Sequence, residues 1–200
     1  ATREVLEVIS VLGDHASFRV VSAVRTVDAA ALAQRLETLR KRGFLQQTAQ
    51  GYRFAHDLVR SEVYHTIVPA RRRRLLHRWA GEALETVHPQ EVELLAEHFE
   101  LAGAVEKAVP YLLQAADRAQ ALYDYETATM HYRRALVGIE DPAVRWDVLA
   151  DLEEALDVRS RREEQRVVLD EMFHLAESIG DLVRQAHTRQ RQGWWEVLAG

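Results

Sequence analysis

The second half of the sequence is an almost unbroken series of amphipathic helical patterns. From residue 91 onward the apolar spacing predicts helices near 91–102, 105–122, 125–138, 142–157, 161–179 and 181–198. The breaks between them are very short: Gly103, Asp124, Asp141-Pro142, Arg159-Ser160 and Gly180-Asp181. Loops this short force consecutive helices to run antiparallel. We therefore expect this half to form a stack of helical hairpins.

Small and large apolar residues recur along these helices in a pattern typical of tetratricopeptide-like (TPR-like) repeats. The positions that fit one hairpin are Ala96, Phe99, Ala108, Leu112 and Ala115, and those that fit the next are Ala116, Ala128, Tyr132 and Ala135. Small residues let two helices approach closely, and large residues fill the facing groove. The register is imperfect, because Ala108 and Ala128 lie closer together than the roughly 34-residue repeat requires. Pro110 lies inside the helix near 105–122, where we expect it to delay the start or kink the axis.

The first half alternates between helical and strand-like patterns. Helices are expected over 2–12, 18–24 and 29–42, the third capped by Asp28 and ended by Gly43. Residues 44–48 and 52–54 form a small predicted hairpin, and helices follow at 57–67 and 69–87. This order predicts a winged helix-turn-helix. The expected fold class is mostly α, with a winged-helix domain at 1–88 and an α-solenoid of TPR-like antiparallel hairpins at 89–200.

Charge and composition support two modules. Residues 1–87 hold 14 Lys and Arg against 9 Asp and Glu, whereas residues 88–200 hold 12 against 22. The first module is therefore mildly basic and the second acidic.

Cysteine is absent from the sequence, which excludes disulfides and thiolate metal sites. Without a long apolar run or a signal peptide, we expect no membrane association and a cytoplasmic location. A first residue other than Met and an apolar pattern still running at 194–198 lead us to expect a piece of a longer chain.

Three sequence strings carry a family resemblance. They are YRFAHDLVRSEVY at 52–64, ARRRRLLHRWAGEALE at 70–85 and AEHFELAGAVEKAVPYLLQAADRAQAL at 96–122. Together they resemble bacterial STAND-type signalling ATPases, related to MalT- and LuxR-type transcriptional regulators and to cyclase-linked sensors. In that family a P-loop ATPase domain comes first, a winged helix packs on it, and a TPR-like sensor domain follows. The resemblance extends over about residues 1–140.

The resemblance implies a role for two residues at the start of the helix near 57–67. In related proteins a Met-His-Asp motif lies at this point, and its His contacts the β-phosphate of bound ADP. By that match His56 would be the phosphate sensor and Asp57 its structural partner, although Ala55 stands where those relatives have Met. From the residues alone, Asp57 can equally be a helix cap and His56 a partly buried residue beside the wing.

The nucleotide itself would belong to another part of the parent protein. A Gly-x-x-x-x-Gly-Lys-Ser/Thr string is absent from the 200 residues, so we expect no enzymatic activity and no cofactor in this segment. ADP or ATP would bind an ATPase domain upstream of Ala1, which would also be a partner of the winged helix. The TPR-like helices would bind a protein or small-molecule inducer. Oligomerisation is left open.

Two other functions are weighed against this one. A winged-helix DNA-binding regulator would explain the basic first half and the Arg71–Arg74 run, but a base-reading helix needs polar residues near its start, and the helix at 29–42 begins with alanines. Direct DNA binding is therefore not expected. A plain TPR scaffold is the other alternative.

The remaining polar residues give no catalytic or metal constellation. His77, His88 and His98 are interpreted as ordinary helix-surface or interface residues, and Glu153-Glu154 as part of a solvated face. The tyrosines Tyr123, Tyr125 and Tyr132 are expected to pack in the core rather than line a binding groove.

Overall fold

The protein is mostly helical, with one small two-stranded sheet. The computed structural model describes residues 2–24 and 28–199. The chain divides into two compact units, Ala1–Ala104 and Val105–Gly200. The predicted boundary at residue 88 lies before this division, because the helix that follows it belongs to the first unit.

The first unit contains six helices and the sheet among its described residues. Its elements are α1 (Thr2–Leu12), a 3-10 turn (Gly13–His15), α2 (Phe18–Val24), α3 (Ala29–Lys41), β1 (Leu45–Gln47), β2 (Tyr52–Phe54), α4 (Asp57–Glu62), a π-helical segment (Val63–Ile67), α5 (Ala70–Val87) and α6 (Val92–Leu101). The core is formed by aliphatic side chains of α1, α2, α3 and α5. Residues 25–27 lie outside the described residues.

Two local signals in the sequence produce the expected boundaries of α3. The Asp28 carboxylate accepts the backbone N–H of Ala31 at 2.9 Å, which satisfies a free donor in the first turn. At the other end Gly43 has φ +75°, a conformation that costs glycine little. The chain then enters β1, which pairs antiparallel with β2 so that Leu45 faces Phe54.

Helices α5 and α6 approach each other closely at Gly81. A Cβ atom at this position would lie 2.8 Å from Cε1 of Phe99, and Phe99 is completely buried. The missing side chain of Gly81 therefore makes room for the aromatic ring. This contact, together with buried Leu84 and Leu95, places α6 in the first unit.

The second unit consists of five helices among its described residues. They are α7 (Val105–Ala121), α8 (Tyr125–Leu136), α9 (Pro142–Val158), α10 (Arg162–Ser178) and α11 (Leu182–Ala199). Helices adjacent in the chain pack on each other. The predicted small positions are buried at the contacts, with Ala108, Ala128 and Ala135 fully enclosed. Pro110 lies within α7, and the helix nevertheless begins at Val105, so the expected delay of its start is wrong.

None of the described helices combines the length and the apolar character that crossing a lipid bilayer requires.

Candidate functional site at the start of helix α4

The candidate site lies where β2 passes into α4. Ala55 donates its N–H to the carbonyl of Phe44 at 2.9 Å, which holds the end of β2 to the chain before β1. His56 is extended, with φ −138° and ψ 125°, and its carbonyl accepts the N–H groups of Val59 and Arg60. His56 is therefore the N-cap residue of α4 and Asp57 its first helical residue.

The side chains of His56 and Asp57 both face solvent. His56 occupies the N-cap position of α4 and Asp57 is already helical, so the interpretation of Asp57 as the cap is wrong. The expectation that His56 is partly buried is also wrong, since it is exposed. Leu58 beside them is 81% exposed. The three residues form an exposed surface of an imidazole, a carboxylate and an aliphatic side chain.

A small cavity next to this surface brings two arginines close to Asp57. Its volume is about 280 Å³, and its lining includes Asp14, Arg53, Asp57 and Arg60. Guanidinium groups suit phosphate and carboxylate ligands because they donate several hydrogen bonds in one plane. His56 does not line this cavity. The structure thus groups Asp57 with two arginines rather than with the predicted imidazole.

Arg53 and Arg60 did not emerge from the sequence as site residues, although both lie in the string at 52–64. Arg60 donates through Nε to the carbonyl of Ser10 at 3.2 Å, and its guanidinium lies beside Gly13. These contacts tie α4 to the end of α1. The available signal was the spacing of Asp57 and Arg60, which places both side chains on one face of the helix.

Arg73 of α5 contacts several backbone carbonyls of the segment after α4. Arg73 donates from Nη1 to the carbonyls of Tyr64, His65 and Val68 at 2.8, 3.2 and 2.9 Å. Its guanidinium also lies 5.2 Å from the centre of the Tyr64 ring, within range of a cation–π interaction. Arg73 therefore fixes the end of the π-helical segment against α5.

The four-arginine run divides between internal contacts and solvent. Arg72 forms an ion pair with the buried Glu7 of α1 at 2.6 Å, and Arg73 is occupied by the carbonyls just described. Arg71 and Arg74 are exposed. Further along the same helix, Arg78 pairs with Glu82. Half of the run therefore serves the fold of the first unit.

Two of the histidines interpreted as helix-surface or interface residues face each other between α5 and α6, where they are buried. His77 and His98 are 4% and 3% exposed, and their Nδ1 atoms lie 3.0 Å apart. His77 also contacts the Tyr64 hydroxyl through Nε2 at 2.8 Å. Burial, and then the charge of Arg73, lowers the pKa of His77 to about 4. Burial, followed by His77 and His15, lowers the pKa of His98 to about 3.

The second unit has an acidic region on α7 and α9. Buried Tyr132 donates to Asp117 Oδ1 at 3.1 Å, and burial together with Asp151 and Asp117 raises its pKa. Partial burial and then Asp117, Glu154 and Asp147 raise the pKa of Asp151 to about 6. The core prediction is therefore confirmed for Tyr132, whereas Tyr123 is 81% exposed.

No group of three or more histidine or acidic side chains among the described residues is arranged to hold a metal ion. Comparisons with protein-family models, curated proteins and solved structures returned no match for this chain.

Proposed function

We propose that this chain is the regulatory segment of a STAND-type signalling ATPase. In this proposal Ala1–Ala104 is a winged-helix unit that holds a nucleotide site of the parent protein in its ADP state. The TPR-like helices of Val105–Gly200 receive an inducer or a protein partner and release that state. The segment itself is not catalytic.

The observation that carries the proposal is the exposed surface of His56, Asp57 and Leu58 at the start of α4. A histidine at a helix N-terminus lies beside backbone N–H groups and can face an anionic phosphate. Leu58 adds an exposed aliphatic side chain to the same surface. The arginines of the cavity add positive charge beside Asp57.

The arrangement of both units supports the finer architecture that we propose. Three helices, an antiparallel hairpin and a further helix follow one another in the order of a winged helix. In the second unit, buried alanines at the contact between α7 and α8 occupy the small positions of a TPR-like hairpin. We expect the inducer to act by biasing a two-state equilibrium at the nucleotide site.

The internal contacts of the arginine run disfavour the DNA-binding alternative. Arg72 and Arg73 are committed to Glu7 and to backbone carbonyls, and the exposed first turn of α3 offers Ala29 and Ala30. The methyl side chains of Ala29 and Ala30 cannot donate a hydrogen bond to a base edge. A steep salt dependence of duplex binding by the chain would reverse this preference.

The test is the nucleotide content of a protein extended upstream by one native domain. After purification and denaturation, the released ADP is quantified for the parent sequence, for His56→Ala and for His174→Ala. His174 is an exposed histidine of α10 and serves as the matched control. We expect about one ADP per chain in the parent sequence and in the control, and a clear loss in His56→Ala.

Equal ADP retention in all three proteins would remove the sensor role of His56 while leaving the family proposal in place. An absence of nucleotide from the parent sequence would overturn the proposal itself. The duplex titration would then decide between the DNA-binding and scaffold functions.

A further inference from the structure

Tyr64, His77 and His98 form a continuous chain of polar contacts through the interior of the first unit. The chain begins at the Tyr64 hydroxyl in the π-helical segment, passes through both nitrogens of His77 on α5, and ends at Nδ1 of His98 on α6. Tyr64 also lines a surface cavity of about 320 Å³ together with Asp57, Arg60, Ser61 and His65. The chain thus leads from the face of α4 to the contact between α5 and α6.

The number of protons on this chain is fixed by its geometry. Two Nδ1 atoms at 3.0 Å can share only one hydrogen, so one imidazole donates and the other accepts. If His77 donates to His98, its Nε2 accepts from the Tyr64 hydroxyl. If His98 donates to His77, the Nε2–H of His77 donates to the Tyr64 oxygen. Both neutral arrangements satisfy every facing group.

Additional protons are not accommodated equally. A first extra proton on His77 can be tolerated geometrically, because the Tyr64 hydroxyl can turn to accept it. A second would place two N–H groups against each other between His77 and His98. Protonating both imidazoles therefore breaks the contact at 3.0 Å.

The electrostatic environment of His77 and His98 disfavours even the first additional proton. The charged or ionisable groups that act on the pair are Arg73 from α5 and His15 from the 3-10 turn, while Tyr64 faces His77 from the π-helical segment. These groups include no carboxylate that could compensate an imidazolium. A buried, unpaired cation is costly, so acidification favours any state in which the histidines reach water.

We propose that Tyr64, His77 and His98 form a proton-operated latch, whose neutral form holds the π-helical segment and α6 against α5 and whose protonation releases them. The latch acts on the helix that carries His56 and Asp57, because α4 continues directly into the π-helical segment. It extends beyond the proposed nucleotide function and does not depend on it. Arg73 remains a second tie on this segment, so the release is a local opening rather than complete unfolding.

Histidine-ring NMR on the whole chain of 200 residues tests the latch directly. Between pH 8 and 4.5 we expect His77 and His98 to remain neutral while their contacts persist, whereas an unperturbed histidine side chain has a pKa of about 6.5. Amide exchange of residues 57–68, corrected for intrinsic rates, should accelerate below that pH. At one unit below 6.5 the expected increase is about tenfold for each histidine that protonates on opening.

Two variants separate the latch from general acid sensitivity. Tyr64→Phe keeps the ring but removes the hydroxyl, and we expect faster exchange of residues 57–68 already at pH 7.5. His174→Asn changes an exposed histidine and should leave exchange of this segment unaltered at every pH.

Titration of His77 and His98 near 6.5 in the folded chain would overturn the proposal, as would pH-independent exchange of residues 57–68. Because both measurements are made on the unmodified protein, a variant that fails to fold does not prevent the decision.

Discussion

Glu153 is a carboxylate almost completely removed from solvent, with an exposed fraction of 2%. Its two oxygens accept hydrogen bonds from Arg191 of α11 at 2.9 Å each, and Gln165 of α10 donates to Oε1 at 2.6 Å. Arg191 also contacts Asp157 at 3.1 Å. One acidic residue therefore connects three helices of the second unit.

Replacing Glu153 by Gln should destabilise the second unit by about 2 kcal/mol. The reason is that Arg191 loses the main partner of a largely buried ion pair, although it keeps Asp157 and some contact with water. Urea denaturation followed by circular dichroism measures the change. Glu154→Gln is the matched control, because Glu154 is exposed and its replacement should stay within about 0.5 kcal/mol. Equal effects of the two substitutions would contradict the structural difference between these neighbours.

The interpretation of Glu153 as part of a solvated face was wrong, although the sequence contained a signal for its burial. Glu153 follows Leu149 by four residues, which places it on the same side of α9 as the buried leucines. Its burial was detectable from that spacing, but its partner was not, because Arg191 lies far along the chain. The pairing of His77 with His98 was likewise not predictable, because helix periodicity does not reveal which side chains oppose each other across two helices.

At the scale of the element, the limits of most helices follow from local chemistry and were predictable. Asp28 caps α3, while Asp124 and Asp141 cap α8 and α9 by accepting backbone N–H groups. The hairpin β1–β2 also followed from its short strand patterns around Gly51. What could not be predicted is the π-helical segment at Val63–Ile67, because it depends on the donors that Arg73 brings from α5.

Two helix ends depart from the glycine rule. Tyr123 after α7 and Ser160 after α9 have φ of 61° and 54°, whereas glycine occupies the equivalent place after α3, α6 and α10. The bond from Arg161 N–H to the Leu156 carbonyl, 2.9 Å long, closes the end of α9 around Ser160. A side chain in this left-handed conformation costs about 1 kcal/mol.

Ser160→Gly should therefore stabilise the second unit by about 0.5–1 kcal/mol, since glycine relieves this strain. The thermal midpoint of the helical signal is the measurement. Gly180→Ala, at the corresponding end of α10, provides the reverse substitution and should destabilise by a similar amount. A lower midpoint for Ser160→Gly would show that its side chain contributes more than its backbone costs.

Gly81 is expected to be required for a different reason, which is steric: α5 and α6 approach each other closely at this residue. Gly81→Ala adds a methyl group 2.8 Å from Phe99, and we expect a loss of about 1–3 kcal/mol from overpacking despite the better helix propensity of alanine. Gly193→Ala in α11 is the control, because its added Cβ meets no atom within 4 Å. It should be neutral or stabilising in the same denaturation assay, and a combined Gly81→Ala and Phe99→Leu variant should recover part of the loss.

At the scale of the whole molecule, the two units are expected to respond oppositely to mild acid. His77 and His98 have lowered pKa values of about 4 and 3, so below about 6.5 the unfolded chain binds more protons and the first unit loses stability as the pH falls. Asp151 has a raised pKa of about 6, so the folded second unit binds the extra proton. Its stability rises as the pH falls from about 7 toward 5.

Asp151→Asn tests the second half of this expectation. At pH 7.5 the variant should be more stable than the parent chain, because it removes a carboxylate crowded by Asp117, Glu154 and Asp147. At pH 5 the advantage should shrink, since Asp151 is then largely protonated. Thermal unfolding monitored at both pH values gives the comparison, with Glu163→Gln as an exposed acidic control on α10. An advantage that does not change with pH would contradict the assigned titration.

The division into units was only approximately predictable from the sequence. Charge and pattern placed the change of module near residue 88, but α6 packs on α5 through Phe99 and remains with the first unit. The residues of the candidate site were predicted as neighbours in the chain. The spacing of Asp57 and Arg60 indicates a shared helix face, but the approach of Arg53 depends on how the end of β2 meets α4, which helix periodicity does not reveal.

The main contacts of α8 to α11 reach back only to the one or two helices before them. Each helix packs on its predecessor, and the longer links, from Arg133 to Glu164 and from Arg191 to Glu153, skip a single helix. During synthesis, the helices on which each new helix packs have therefore already left the ribosome. We expect this unit to acquire its structure progressively while translation continues.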